Sequence, residues 1–354
     1  MDERQREFLF ELIETPSPTG FEAAGQRVWI DYVESFADEV RTDAYGNAIA
    51  VHEGSGGPEI AVTGHADEIG FVVRRIDDDG FLHLSRVGGT DKTVSRGQHV
   101  TVHASDESVD GVVGQTAIHL RDRDEDSEVA DITEQYVDIG AADREEATEL
   151  VDVGDPLTVS STVEDLQGSR LTGRAMDNRV GVWAAAETLR QAHEADTEAT
   201  VYAVSTVQEE VGGNGAQMVG FDLEPDAAVV VDVTHATDTP GLPGKKQIDV
   251  ELGGGPSVRR GQPDHPVLVD ALRTVASDQE TEIQIEAGSN TTLTDANSLF
   301  VQRGGIPSVN VGIPTRYMHT PVEVVDSEDL TATVELAGGF VERAADFTPY
   351  RTRI

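Results

Sequence analysis

The sequence predicts an α/β fold: a largely parallel sheet covered on both faces by helices and interrupted by a small β-rich domain. Three observations predict it. Toward both ends of the chain, short apolar runs of strand composition alternate with amphipathic helical stretches, the pattern of βα units. From about Glu68 to Gln167 the helical pattern fades and short alternating strands replace it. The chain, at 354 residues, is long enough to divide. The expected division is one discontinuous domain, residues 1–67 and 168–354, carrying residues 68–167 as an insertion.

Taken in order, Phe8, Leu9, Leu12 and Ile13 form the apolar stripe of an opening helix that PSPTG terminates. A second helix is expected with Phe21, Ala24, Val28 and Tyr32 at helical spacing. Strands follow at 40–42, 48–51 and 60–63, the last leading into GHADEIGF. Within the insertion the alternation gives strands at 71–76, 81–87, 99–103, 112–118 and 157–160, with an acidic run over 121–152 holding 13 acidic and three basic residues. The α/β pattern resumes at 170 with a short strand running into Asp177 and a helix whose stripe is Val180, Trp183, Ala184 and Leu189. Strands at 200–207 and 227–233, a helix at 266–277, strands at 282–286 and 308–312, and a closing helix at 327–345 complete the chain. No internal repeat is evident.

Composition excludes several functions. Acidic residues number 66 against 26 basic ones, a net charge of −40, and only Lys92, Lys245 and Lys246 are lysines. Such a charge repels nucleic-acid phosphates and anionic lipid, so neither nucleic acid nor membrane is expected as a partner. A foldable chain this acidic and this poor in lysine resembles proteins of salt-loving archaea, whose cytoplasm screens the repulsion. There is no cysteine, so any metal must be held by His, Asp or Glu. The charged, amphipathic N-terminus lacks the uninterrupted apolar core expected of a signal peptide, and no run reaches the roughly 18 apolar residues of a membrane span. The expected location is cytoplasmic.

The candidate chemistry lies at strand ends. TVQEEVGGNGA, residues 206–216, closes a strand with Glu209 and Glu210 before a glycine-rich turn. On extended backbone these neighbours would point to opposite faces and could take different tasks, one on a metal and one on a proton. His65 and Asp67, two apart, share a face, and a carboxylate beside a ligating imidazole fixes its tautomer. Asp177 sits where a strand gives way to a helix, the edge at which α/β proteins place ligands; helix capping competes as its explanation. Asp232 interrupts the apolar strand VVVDV and needs a partner there. His319 lies in a turn closed by Pro321. His235 and Asp238, close to Asp232, and Thr294-Asp295 are candidates to line the site with no assigned role, capping and hydrogen bonding being the competing explanations. In the insertion His83, His99, His103 and His119 form no recognisable site. Oxygen and imidazole donors without thiolate suit Zn, Co or Mn.

In order and context GHADEIGF, AMDNR, VQEEVGGNGA, VVVDVTHATD and PTRYMHTPVE resemble the tetrahedral (TET) aminopeptidases, relatives of the glutamyl and deblocking aminopeptidases. The likeness covers essentially the whole chain and, with the acidic composition, points to a haloarchaeal member. It implies a three-layer α/β/α zinc-exopeptidase-like catalytic domain with a β-rich, barrel or PDZ-like dimerisation insert. It implies two divalent ions per subunit, Zn or Co first and Mn as an alternative: Asp177 bridging, His65 and Asp232 on one ion, Glu210 and His319 on the other. Asp67 would orient His65, Glu209 would be the general base, and the Asp177–Asn178 peptide would be cis. The implied activity removes the first residue from peptides with a free N-terminus, with broad specificity leaning to neutral and apolar residues, inside a hollow dodecamer built from dimers. A related carboxypeptidase or N-acyl deacylase would instead hold a substrate carboxylate, with Arg179, Arg259, Arg260 and Arg316 as candidates.

Overall fold

The computed structural model describes residues 1–121, 129–242, 249–288, 291–352 and 354. Part of the acidic run, together with Lys245 and Lys246, lies outside the described residues.

An eight-stranded sheet runs in the spatial order 39–42, 48–52, 200–206, 59–65, 227–235, 308–315, 257–261, 284–288. The four central strands are parallel to one another. Strand 48–52 pairs antiparallel with Thr200–Thr206 on one side, and strand 257–261 pairs antiparallel with Ser308–Thr315 on the other. The expected parallel sheet is thus its centre, and the flanks are mixed. Ala227–His235 shows why the centre is buried on both faces: its run AAVVVDV is buried throughout. Ala227, Val229 and Val231 join the large core, and Ala228 and Val230 join a smaller core on the opposite face.

The helix Met176–Ala195 carries the large face, buried at every position from Met176 to Leu189, which exceeds the single stripe expected of it. Glu3–Glu14 and Ser327–Glu342 pack against it. It approaches the sheet closely because Gly64 faces Gly181: a Cβ at Gly64 would lie 2.4 Å from the Gly181 carbonyl carbon. Asn214–Asp222 and Ala296–Leu299 cover the other face. Among the described residues no helix is long and apolar enough to cross a membrane.

Strands 70–76, 82–87, 136–138, 108–113, 99–103 and 156–159 close into a separate barrel with its own core of Phe71, Leu82, Leu84, Val100, Val102 and Leu157 among others. The β-rich insertion is therefore a barrel.

Three expectations are corrected. The second helix, Ala23–Val33, packs Val28 and Tyr32 on the core as expected but buries Gly25, Gln26, Trp29 and Val33 more deeply, with Trp29 donating to the Val182 carbonyl, whereas Phe21 precedes the helix and is exposed. The strand expected at 112–118 is the end of Ser108–Val113, followed by a 3-10 turn at Ile118–Leu120. Within the acidic run Arg144–Leu150 is a helix, capped by Asp143 accepting from the Glu146 N–H; helix-favouring Glu, Ala and Leu explain it.

Candidate active site

Four parallel strands end at one edge of the sheet, and the predicted residues meet there. His65 ends its strand, Asp232 lies late in the next, and Glu209 and Glu210 follow the third. Asp177 enters from the start of the central helix, and His319 from the turn after Ser308–Thr315. The Asp177–Asn178 peptide is cis, and Asn178 anchors the turn by donating to the Val231 carbonyl and accepting from the Gly181 N–H.

Asp177 is at the centre. One carboxylate oxygen is 3.1 Å from His65 Nε2 and the other 3.3 Å from His319 Nε2. On the His65 side stand Asp232 Oδ1 at 3.7 Å and Glu209 Oε2 at 3.9 Å; on the His319 side Glu210 Oε1 stands at 3.7 Å. Asp67, fully buried, meets His65 Nδ1 with its backbone carbonyl at 3.1 Å and with a carboxylate oxygen at 3.4 Å. Its oxygens also accept from the backbone N–H groups of Glu209 and Glu210, at 2.9 and 3.1 Å, and from the Thr19 hydroxyl at 2.9 Å.

The expected extended backbone at the glutamate pair is corrected. The strand stops at Thr206, Gln208 takes a left-handed conformation with φ 56°, and the pair sits in a turn. The two side chains still serve opposite sides of Asp177, but the turn rather than strand alternation separates them.

The electrostatics show a cluster short of positive charge. Burial, together with the charges of Asp232, Asp295 and Asp177, pushes Glu209 up to about 9 despite the pull of His65. Burial and Asp177 raise Asp232 to about 8, again against His65, and raise Glu210 well above the carboxylate range. Burial opposes charge on His65, but hydrogen bonds to Asp177 and Asp67 hold it well above the usual imidazole range. Asp177 is held low in spite of burial because both imidazoles face it.

This donor set fits divalent cations. Atoms sharing an ion through bonds of about 2.0–2.2 Å lie about 3–3.6 Å apart, close to the spacings around Asp177. His65, Asp177 and Glu210 each offer an atom within 4.8 Å of the others, and Glu210 Oε1 is buried without a hydrogen-bond partner. Two cations would also return Glu209 and Asp232 to the ionised state that a base and a ligand need.

Sequence reasoning missed two supports, Glu323 and Glu68, and left a third, Asp295, without a role. Glu323, buried, accepts from the backbone N–H groups of both Asp177 (3.1 Å) and His319 (2.7 Å), tying the two residues together. Its signal was the final residue of PTRYMHTPVE. Glu68, beside Asp67, pairs with Arg174 and Arg179 and accepts from the Ser17 N–H. Asp295 occupies an N-cap position without capping; it accepts from the Thr206 hydroxyl, and burial raises it to about 6.

Other candidates disperse. Asp238 is engaged by the Arg316 guanidinium, and His235 is exposed at its strand end, lining the cleft. Arg179 is wholly buried against Glu68 and the Leu12 and Thr15 carbonyls, so it cannot meet a substrate. Arg259 lines the cleft, and the strand's alternation turns Arg260 to the opposite face. That cleft, of about 720 Å³, opens onto His65, Asp177, Glu209, Glu210, Asp232 and His319 together.

Comparison with known proteins agrees. Residues 46–336 match the model of the M42 glutamyl aminopeptidase family. The lysyl aminopeptidase of Pyrococcus furiosus is 35% identical over 349 residues, covering 97% of this chain and 99% of its own. The TET aminopeptidase from the marine sediment archaeon Thaumarchaeota archaeon SCGC AB-539-E09 superposes with a TM-score of 0.90 at 32% identity, covering 96% of each chain. The Pyrococcus horikoshii TET1 peptidase, described as assembling into a tetrahedron or a large octahedral shell, superposes with a TM-score of 0.85 at 30% identity, over 95% of this chain and 99% of its own. With a match that runs from the second strand of the sheet into the last long helix, and relatives aligned over nearly their full lengths, the chain belongs to the M42 glutamyl aminopeptidase family.

Proposed function

We propose that the chain is a dinuclear metal-dependent aminopeptidase that removes single residues from the free N-terminus of peptides. The observation that carries the reading is Asp177 placed between His65 and His319, with a further carboxylate on each side and Glu209 beside them. Asp177 would bridge, His65 and Asp232 would complete one ion's donors, and Glu210 and His319 the other's. Two bound divalent ions, Zn or Co and alternatively Mn, supply Lewis acidity and make water acidic enough to give up a proton near neutral pH.

The chain's own residues do the rest. Glu209 takes the proton of the attacking water and returns it to the leaving amine. Asp67 holds His65 through Nδ1 and, by accepting from both glutamate N–H groups, fixes the turn that presents Glu209. Glu323 keeps Asp177 and His319 in register. Carboxylates lining the cleft would hold the free N-terminal amine of the substrate, which restricts cleavage to the first residue. Arg259, Glu286, Leu293 and Met318 line the same cleft, so both polar and apolar side chains have neighbours there, in keeping with broad specificity leaning to neutral and apolar residues.

In this reading residues 1–67 and 168–354 form the catalytic domain and residues 68–167 the dimerisation insert. Ile118 and Leu120, 64% and 81% exposed beside the barrel, suit a subunit contact. Dimers would assemble into a dodecamer, on the analogy of the TET1 peptidase, in the cytoplasm of a salt-adapted cell.

A panel of aminoacyl-p-nitroanilides in molar KCl tests the activity. Release is expected from free-amine substrates, lost on adding chelator and absent from N-acetylated analogues. Turnover of the acetylated compounds instead would show a deacylase. Salt gives a second prediction. At 1 M salt the Debye length is about 3 Å, enough to screen a net charge of −40. Activity and assembly, followed by turnover and light scattering, are expected to fall several-fold as KCl drops toward 0.1 M; full activity there would refute the salt adaptation.

A further inference from the structure

At the opposite end of the sheet, a second group of ligating side chains lies outside the proposed reaction. His52 ends strand 48–52 and stands opposite Val201, whereas His65 stands opposite Thr206. Five residues of strand place the two regions roughly 16 Å apart. Asp38 comes from just before the edge strand, and His193 from the last turn of the helix Met176–Ala195.

One atom from each of Asp38, His52 and His193 lies within 4.8 Å of the other two. His52 is buried, with 4% of its surface exposed, and its Nε2 is 3.3 Å from the Thr197 carbonyl. A carbonyl only accepts, so Nε2 carries the proton and donates, which leaves Nδ1 with a lone pair in the neutral ring. That Nδ1 is buried without a hydrogen-bond partner and faces Asp38 Oδ2 at 3.4 Å. Asp38 Oδ2 is also held by the Glu53 N–H at 2.8 Å. A lone pair and a carboxylate oxygen thus face each other with nothing between them to share, and the His193 ring lies edge-on with its centroid 5.9 Å from that of His52.

We propose that Asp38, His52 and His193 form a further metal site, for a divalent first-row transition ion of the zinc type, on the face of the domain away from the catalytic cleft. Two imidazoles and a carboxylate, with water in the remaining position, are a donor set suited to zinc. The Thr197 carbonyl fixes the His52 tautomer as outer partners of ligating histidines do. Tetrahedral ligand atoms stand about 3.3 Å apart, so the group must close slightly. Exposed His193 is free to rotate inward, and the carbonyl end of its helix favours a cation. A metal here would clamp the edge strands to the central helix.

The test compares zinc bound per chain by the metal-depleted wild-type protein and by His193→Ala, after equilibration with micromolar Zn²⁺ and gel filtration. One zinc fewer per chain in the variant, with peptidase turnover unchanged, is the expected result. Asp38→Asn, also exposed, should weaken the same zinc at least tenfold. Equal zinc in wild type and both variants would overturn the site and show His52 and Asp38 to be an imidazolium–carboxylate pair. Because the readout is a difference between proteins, it holds whatever the catalytic centre binds.

Discussion

Replacing Glu209 by glutamine is expected to lower kcat by about 100- to 10,000-fold, the usual worth of a positioned general base, while KM and bound metal stay near wild type. The substitution keeps the side chain's size and removes its ability to take a proton. Glu209 is suited to the task by position: it is 3.9 Å from His65, it lines the cleft, and its backbone N–H is fixed by Asp67. Its neighbour gives the control. Glu210 lies 3.7 Å from His319 on the other side of Asp177, and its buried Oε1 has no hydrogen-bond partner, as suits a ligand. Glu210→Gln should therefore reduce bound metal as well as turnover. If Glu209→Gln loses metal to the same extent, Glu209 is a ligand and the base lies elsewhere. Turnover within threefold of wild type would remove it from the reaction altogether.

Asp232 and Asp177 were legible from their local context, and the roles of the remaining site residues from the resemblance of five motifs to the TET aminopeptidases. Asp232 interrupts a run of buried valines, and Asp177 stands where a strand gives way to a helix, so each announces a cost that something must offset. The supporting residues break no such pattern. Glu323 belongs to a short strand paired with Arg170–Gly173, and only the tertiary fold carries it under Asp177. Asp295 reads as a helix cap, and capping is the commoner reason for an aspartate there; its turn toward Thr206 depends on packing between distant segments. The same limit explains the second helix. Its stripe of Val28 and Tyr32 was legible, but the deeper burial of Trp29, whose indole donates to the Val182 carbonyl 153 residues away, depends on the tertiary fold. The barrel's alternation was clear, whereas its strand ends at Val113 and the helix Arg144–Leu150 were not, since charged residues suit exposed helix and loop equally.

Asp177→Asn is expected to be at least as damaging as the loss of the base, and by a different route. Each carboxylate oxygen of Asp177 faces a different histidine, at 3.1 and 3.3 Å, so an amide turns one acceptor into a donor and leaves one half of the cluster facing an N–H group. It also removes the negative charge that balances His65 and His319, and both imidazoles are held above their ordinary range by hydrogen bonds to this carboxylate. With bridging donors lost, bound metal should fall from two ions per chain to one or none. Metal centres of this kind contribute several kcal/mol to the transition state, and about 4 kcal/mol is roughly three decades in rate. Turnover should fall by at least about 1000-fold, and excess Zn²⁺ or Co²⁺ should restore little of it. The metal count separates this outcome from Glu209→Gln, which keeps its ions. Two ions per chain in Asp177→Asn, with substantial turnover, would show that the bridge is not Asp177 and that the two halves of the cluster bind independently.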